Sequence, residues 1–343
     1  MSDITIRGAG IFGLSIAWAC VQRGARVQII DPYGPGAGSS GGIVGALAPH
    51  VPENWNPKKA FQLESLLMAA DFWRGVTEVG GVDAGYARTG RTQPIADDAG
   101  LALARQRTET AKDLWKGDAH WVVQPCDENP WAPLSPTGWM IHDTLSARLH
   151  PRKACAALVA ALESRGVEVV NDAPDHGAVL WATGIAGLET LNQTAPRLVG
   201  TGVKGQAALL RYDARNQPQL FAGGVHAIPH LDGTVAIGST SEREWEIDDT
   251  TDAQLDAVID RARAAIPALH NASVIERWAG IRPRSRSRAP MLGAWPGHPG
   301  HFIANGGFKI GFGMAPKVAG VLADLMLDGL DTIPNGFRVE DSF

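Results

Sequence analysis

Cysteine is scarce in this chain. Only Cys20, Cys126 and Cys155 occur in 343 residues, and no two of them form a CxxC pair. Neither a zinc ribbon nor a disulfide framework is expected, and no metal site is predicted. Long apolar runs are missing too: none reaches the roughly 18 residues that point to a membrane-spanning helix. No charge sign dominates. The 31 basic and 36 acidic residues are mixed along the chain, for a formal net charge of -5. That balance offers no groove for a phosphate backbone, and nucleic acid is not an expected partner. The first strand-like run starts near residue 4, so no signal peptide is expected before it and a cytoplasmic protein is predicted. The composition is that of an ordinary globular chain, long enough for one large or two modest domains.

What is present is concentrated at the start. Ile4-Thr5-Ile6-Arg7 leads into Gly8-Ala-Gly-Ile-Phe-Gly13, then a helical stretch, then Arg26-Val-Gln-Ile-Ile30 and Asp31. Strand, glycine turn, helix, strand and acid form the pattern of a dinucleotide site. Gly8 allows the tight turn, Gly10 lets the backbone approach a pyrophosphate, and Gly13 lets the helix pack closely. The first helical residues, Ile11 and Phe12, lie where free N–H groups meet phosphate. Asp31 stands where an acid would take the ribose hydroxyls. Leu14, Ala17, Trp18 and Val21 give this helix an apolar face, and Gly24 ends it.

Further helices are expected where apolar residues recur at helical spacing. They run from Phe61 to Trp73 after Pro57, from Ala154 to Arg165, from Leu255 to Ile266, and from Pro316 through Val318 to Met326. Val199–Tyr212 and Leu220–Thr240 read as an antiparallel sheet with turns such as Asp232-Gly233. Val167–Val170 and Ala178–Ala182 read as buried strands of the dinucleotide type.

Four more segments favour flavin over nicotinamide. Ala37–His50 is too rich in Gly and Ser for a helix and suits a loop that meets phosphate and ring, through Ser39, Ser40 and Gly42. Val179–Gly184 is a strand ending in Ala182-Thr-Gly184, where backbone passes close to a nucleotide; Val169, in the strand-like run before it in sequence, is a further candidate cofactor contact. Trp278–Gly293 is rich in arginine. Ala304–Gly320 is a glycine-dense loop opening a helix, and Gly306, Gly307, Lys309, Ile310 and Gly311 are its candidate cofactor contacts.

At these residues the chain resembles the D-amino-acid oxidase superfamily of flavoproteins, which includes glycine oxidase and monomeric sarcosine oxidase. The likeness runs through five segments in the family's order. It implies FAD that takes a hydride from the carbon beside an amine, hydrolysis of the resulting imine, and reoxidation by dioxygen or another acceptor. Arg282 aligns with the arginine of the family's Trp-x-Gly-x-Arg-Pro pattern, here Trp278 to Pro283, which implies that it clamps a substrate carboxylate; a planar fork of N–H groups suits that task. Lys309 falls where sarcosine oxidase-like members place a second carboxylate contact. The resemblance also implies that the last helix points its N-terminus at the flavin. His50, after the flavin-side loop, is a candidate pocket residue or a structural one. His226, His230 and Glu242 are left equally open.

The chain departs from the family in three ways. Tyrosine is rare, and none of Tyr33, Tyr86 and Tyr212 falls at a pocket position. Thr234–Gly238 lacks the oxygen-activating lysine of sarcosine oxidase. The cysteine used there for a covalent flavin link is missing beyond Arg288, so FAD is expected to be non-covalent.

The expected fold is α/β. A Rossmann-like FAD-binding domain (about 1–50, 141–200 and 281–343) is interleaved with an antiparallel-sheet substrate domain (51–140 and 201–280). The expected function is oxidation of an amino acid or N-substituted amino acid. The alternatives are a dehydrogenase feeding a quinone or carrier protein, and a tRNA-modifying oxidase or a subunit of a larger complex.

Overall fold

The computed structural model describes residues 3–126 and 128–343. Two large sheets organise them. The first has six strands in the order Met291–Ala294, His301–Asn305, Ala178–Trp181, Asp3–Arg7, Arg26–Ile30 and Val169–Val170. All neighbours run parallel except the first pair. Strands of such a sheet are buried on both faces, which is why Ile4, Ile6, Ile29 and Leu180 are almost free of solvent. Helices Ile11–Gln22, Pro57–Gly80, Pro151–Glu163 and Gly311–Asp328 pack on one another beside this sheet.

The second sheet has eight strands: Val274–Ser285, Gly200–Arg211, Thr234–Gly238, Val225–Pro229, Gln219–Ala222, Arg91–Pro94, Trp139–Asp143 and Trp121–Pro125. Neighbours are antiparallel apart from Gln219–Ala222 with Arg91–Pro94. Its two longest strands pair so that Val203 faces Arg282 and Gly205 faces Gly280. Helix Ala253–Ala265 covers it, burying Leu255, Val258, Ile259 and Ala262 against Ala208, Leu210, Val235 and Ile237. Residues 141–143 and 281–285, grouped above with the cofactor-binding segments, lie in strands of this second sheet.

The mixed α/β architecture agrees with expectation, and three elements differ from it in detail. The last helix begins at Gly311, with Pro316 inside it. The glycines before Pro316 are helical, and the helix start rests on its neighbours at ordinary contact distance. A Cβ on Gly311 would lie 3.6 Å from Ile11 Cγ2, and one on Gly313 3.4 Å from Leu66 Cδ2. Helix Asp98–Trp115 was not expected; Asp97 caps it by accepting a bond from the Gly100 N–H at 2.7 Å. Nor was helix Gly184–Thr194, which starts directly after the strand that ends at Trp181. Among the described residues no helix is long and apolar enough to cross a membrane.

Candidate functional site

The glycine turn follows from steric need. Gly8 has φ of +107° and lies so close to strand Ala178–Trp181 that a Cβ would sit 2.4 Å from the Ala182 carbonyl oxygen. A Cβ on Gly13 would fall 1.9 Å from the Gly8 carbonyl oxygen, so only glycine lets the helix seat on the turn. Gly10 is different. The nearest atom to its imagined Cβ is Ser40 Oγ at 3.2 Å. The fold alone does not demand a glycine there, whereas an approaching ligand would.

Three strand ends meet at this turn. Gly8 N–H bonds the Ile30 carbonyl, and Ala182 N–H bonds the Arg7 carbonyl. Asp31 N–H bonds the Val170 carbonyl, beside Val169. The Asp31 carboxylate accepts from Ala9 N–H at 2.8 Å and Tyr33 N–H at 2.9 Å. Two bonds leave a carboxylate with acceptor capacity to spare. Gly184 is tied in from the other side, its carbonyl accepting from Asn305 Nδ2 at 2.8 Å.

The Ser-rich loop closes over the helix start. Ser39–Gly41 forms a 3-10 turn, and Ser40 Oγ accepts the Ile11 N–H at 3.0 Å. Leu14 N–H makes the first helical bond, to Gly10; the N–H groups of Phe12 and Gly13 have no partner among the described residues, as a first turn leaves them. Arg152 and Cys155, on helix Pro151–Glu163, brace the loop through the carbonyls of Gly41 and Ser40. Gly42 lies against Trp278.

The second glycine loop arrives at the same place. A Cβ on Gly307 would lie 2.9 Å from the Phe12 ring. The starts of helices Ile11–Gln22 and Gly311–Asp328 therefore converge, and neither has an acid in its first turn. Two helix N-termini aimed together present free N–H groups and partial positive charge, which fits a diphosphate. Gly306 has φ of +72° and packs on Ser285, and Phe308 N–H bonds the Pro283 carbonyl at 3.0 Å. Ile310 caps the second helix. This loop is thus clamped onto the strand that carries Arg282.

Arg282 is buried, with 9% of its surface exposed. Its guanidinium lies across Gly205, where a Cβ would come within 1.7 Å of Nη1. Among the described residues it makes one hydrogen bond, to the Thr240 carbonyl at 3.3 Å, and no ion pair. Burial lowers its pKa to about 10, partly offset by Glu242. Glu242 Oε1 accepts from Gln206 Nε2 at 3.1 Å and from Thr240 Oγ1, while Oε2 is buried without a partner. Gln206 also bonds Asp252 at 2.8 Å. Lys309 lies near enough to Arg282 that burial and that charge both lower its pKa. Its ammonium stands 5.6 Å from the Phe308 ring centroid and forms no ion pair among the described residues. The charges of Lys309 and Arg282 therefore act on each other, and neither side chain forms an ion pair among the described residues.

The remaining candidates separate. His50 bonds Gln62 through its backbone N–H at 2.8 Å and through its ring, and burial lowers its pKa. Among the described residues no hydrogen bond or ion pair links it to Arg282 or Lys309. His226, on the second sheet, is pushed down to about 3 by burial and by the charges of Arg91 and Lys309, so it stays neutral. His230 belongs to a separate cluster with His150. Tyr33 is 85% exposed and Tyr212 stacks on Trp131. Gln206 and Thr240 escaped the sequence reading. They sit in apolar and Gly-Ser-Thr runs; Thr240 is a near neighbour of Glu242 in sequence, and strand pairing brings Gln206 to both.

Comparison with known proteins agrees with this geometry. The model of the FAD dependent oxidoreductase family matches residues 3–325. Glycine oxidase of Pseudomonas aeruginosa is 27% identical over 347 residues, covering 94% of this chain and 94% of that protein. The crystal structure of glycine oxidase from Geobacillus kaustophilus superposes with a TM-score of 0.83 at 20% identity, over 99% of both chains. Iminodiacetate oxidase from Chelativorans sp. BNC1 gives 0.84 at 22% identity, over 98% of both chains. At those identities the solved structures establish the shared fold. With the family match running from the first described strand into the last helix, over the turn and loops just described, the chain belongs to the FAD-dependent oxidoreductase family of the D-amino-acid oxidase type.

Proposed function

We propose that this enzyme oxidises the C–N bond of an amino acid or N-substituted amino acid. Its class follows from the family: it is an FAD-dependent oxidoreductase acting on amine donors, with FAD held non-covalently. The finer reading rests on one observation. Arg282 is a buried cation with a single long hydrogen bond and a second cation, Lys309, beside it. An unpaired buried charge is costly, and a substrate carboxylate accepting from both groups would remove that cost.

In this reading the first sheet carries the cofactor and the second sheet roofs the substrate, which is our proposal for the two domains. Gly8, Gly10 and Ile11 shape the turn, and Ser39, Ser40 and the N–H groups of Phe12 and Gly13 hold the diphosphate. Asp31, with Val169, Ala182 and Gly184 nearby, holds the adenosine side. Gly42, Gly306, Gly307, Ile310 and Gly311 approach the ring side. FAD held by these residues would supply a hydride acceptor for the carbon beside the amine, and the substrate imine would be hydrolysed by water. Arg282 fixes the carboxylate in two parallel bonds, and Lys309 adds a third contact. Orientation by these groups turns an encounter into a fixed geometry, so the chain need supply little acid–base chemistry when the substrate binds as a free amine. His50 is left a supporting role through Gln62.

A dehydrogenase that passes electrons to a quinone or carrier protein is the second reading. Strand Thr234–Gly238 reads TVAIG and holds no lysine. Anaerobic mixing with paired amino acids and their decarboxylated amines, followed by flavin absorbance, tests the substrate class. Bleaching by the amines alone would refute it. Peroxide formed in step with aerobic turnover would reject the dehydrogenase.

A further inference from the structure

Away from Arg282, three side chains from two distant parts of the chain converge. His150 precedes helix Pro151–Glu163, His230 follows strand Val225–Pro229, and Asp232 lies in the next turn. Ligand atoms of the three lie within 4.8 Å of one another, and the two imidazole centroids are 4.5 Å apart. We propose that this is a binding site for a divalent transition ion of the zinc class, held by His150, His230 and Asp232.

The hydrogen bonds around His230 leave one nitrogen bare. Thr234 Oγ1 donates its only hydrogen to Asp232 Oδ1 at 2.6 Å. Its 3.1 Å contact with His230 Nδ1 then requires the imidazole to donate. Nε2 is consequently unprotonated. It has no hydrogen-bond partner, on a side chain only 1% exposed. His150 Nδ1 is buried and unpartnered as well. Two such nitrogens in one cluster each forgo a bond that buried polar atoms normally make. A metal ion satisfies both. The Asp232–Thr234–His230 chain is the kind of outer support that orients a metal-binding imidazole. Burial lowers the pKa of both histidines, which favours the neutral form a metal requires. Asp232 supplies the anion and faces solvent, giving an entry path; water completes a four-coordinate site. Imidazole nitrogen selects zinc, copper or nickel over magnesium.

The cluster has a competitor. Lys153 Nζ bonds Asp232 Oδ2 at 2.9 Å, so an incoming ion must displace an ammonium. Bound metal would tie His150 to a hairpin 80 residues away. The helix that starts there braces the Ser39–Gly41 turn through Arg152 and Cys155. Metal occupancy would therefore stiffen the support of the cofactor loop.

The test is equilibrium dialysis of untagged, FAD-loaded protein, stripped with chelator, against Zn2+ or Mg2+, with metal analysis. One Zn2+ and no Mg2+ per chain is expected. His150→Ala and His230→Gln should abolish binding. Thr234→Val, which removes the support but no ligand, should weaken it by about 10–100-fold. Lys153→Met, which frees Asp232 and removes a like charge, should tighten it. His298→Ala, in a separate aromatic cluster with Trp295 and His301, serves as the control and should change nothing. Because His230 is buried and its variant could misfold, Asp232→Asn at the exposed edge is the second ligand test and should also lose the ion. No Zn2+ at micromolar concentrations would overturn the proposal. So would Zn2+ uptake unchanged in both His150→Ala and Asp232→Asn.

Discussion

Removing the Arg282 guanidinium should damage catalysis in a substrate-dependent way. The group is buried, crosses Gly205 and has only one long hydrogen bond of its own, so most of its five donors are available to a ligand. Truncating one partner of a buried, hydrogen-bonded charge pair costs about 2–5 kcal/mol. At 1.4 kcal/mol per tenfold, that is about 30-fold to several-thousand-fold in kcat/KM. Arg282→Ala should show this loss with an amino acid while the flavin spectrum stays intact. Arg282→Lys should recover only part, since an ammonium cannot make two parallel bonds. Gly205→Ala should reproduce part of the defect without touching the arginine, because its Cβ would fall within 1.7 Å of Nη1 and push the fork aside. The assay is the anaerobic reductive half-reaction with an amino acid and with the same amine lacking its carboxylate. The amine should lose less than about threefold, being uncoupled from the charge pair. Equal losses for both substrates would refute the reasoning and reassign Arg282 to the fold or the flavin.

Three further outcomes are expected. Purified protein should be yellow, and acid precipitation should leave free FAD in the supernatant; flavin in the pellet would show a covalent link. Gly10→Val should lose FAD yet fold, because its Cβ meets only Ser40 Oγ, whereas Gly13→Ala should lower the melting temperature even without cofactor, because its Cβ meets a backbone oxygen at 1.9 Å; the cost of such overpacking is about 1–3 kcal/mol or more. Full FAD occupancy in Gly10→Val would remove the pyrophosphate role. Burial and the Arg282 charge lower the Lys309 pKa from its ordinary 10.5, so its charge is lost at a lower pH than that of a free lysine as pH rises. Amino-acid kcat/KM should therefore fall on the alkaline side relative to Lys309→Met, and parallel profiles would refute a carboxylate contact.

How much of this was legible in the sequence depends on how far apart the interacting residues lie. The turn from Gly8 to Gly13 was readable from its glycine spacing: Gly13 answers to Gly8 within the turn, although Gly8 itself answers to the distant Ala182. Arg282 was readable from the Trp278–Pro283 pattern and the family it resembles. Helix Asp98–Trp115 was not, although Asp97 caps it. Its buried face is Ala104, Ala111 and Trp115, and alanines give weak periodicity. The start of the last helix was misplaced because glycine is a poor helix former, yet Gly311 and Gly313 both lie inside it.

The polar clusters were hidden for a different reason. Gln206 meets Thr240 and Glu242 through strand pairing, and His150 meets His230 through the docking of a helix start onto a hairpin. No spacing along the chain encodes either contact. The search for cysteine and histidine pairs close in sequence looks only for ligands brought together by one local element. A site assembled from a helix cap, a strand end and a turn leaves no such trace. Its only mark is physical and appears after folding, as the buried His230 nitrogen that a hydroxyl and a carboxylate have left without a proton or a partner.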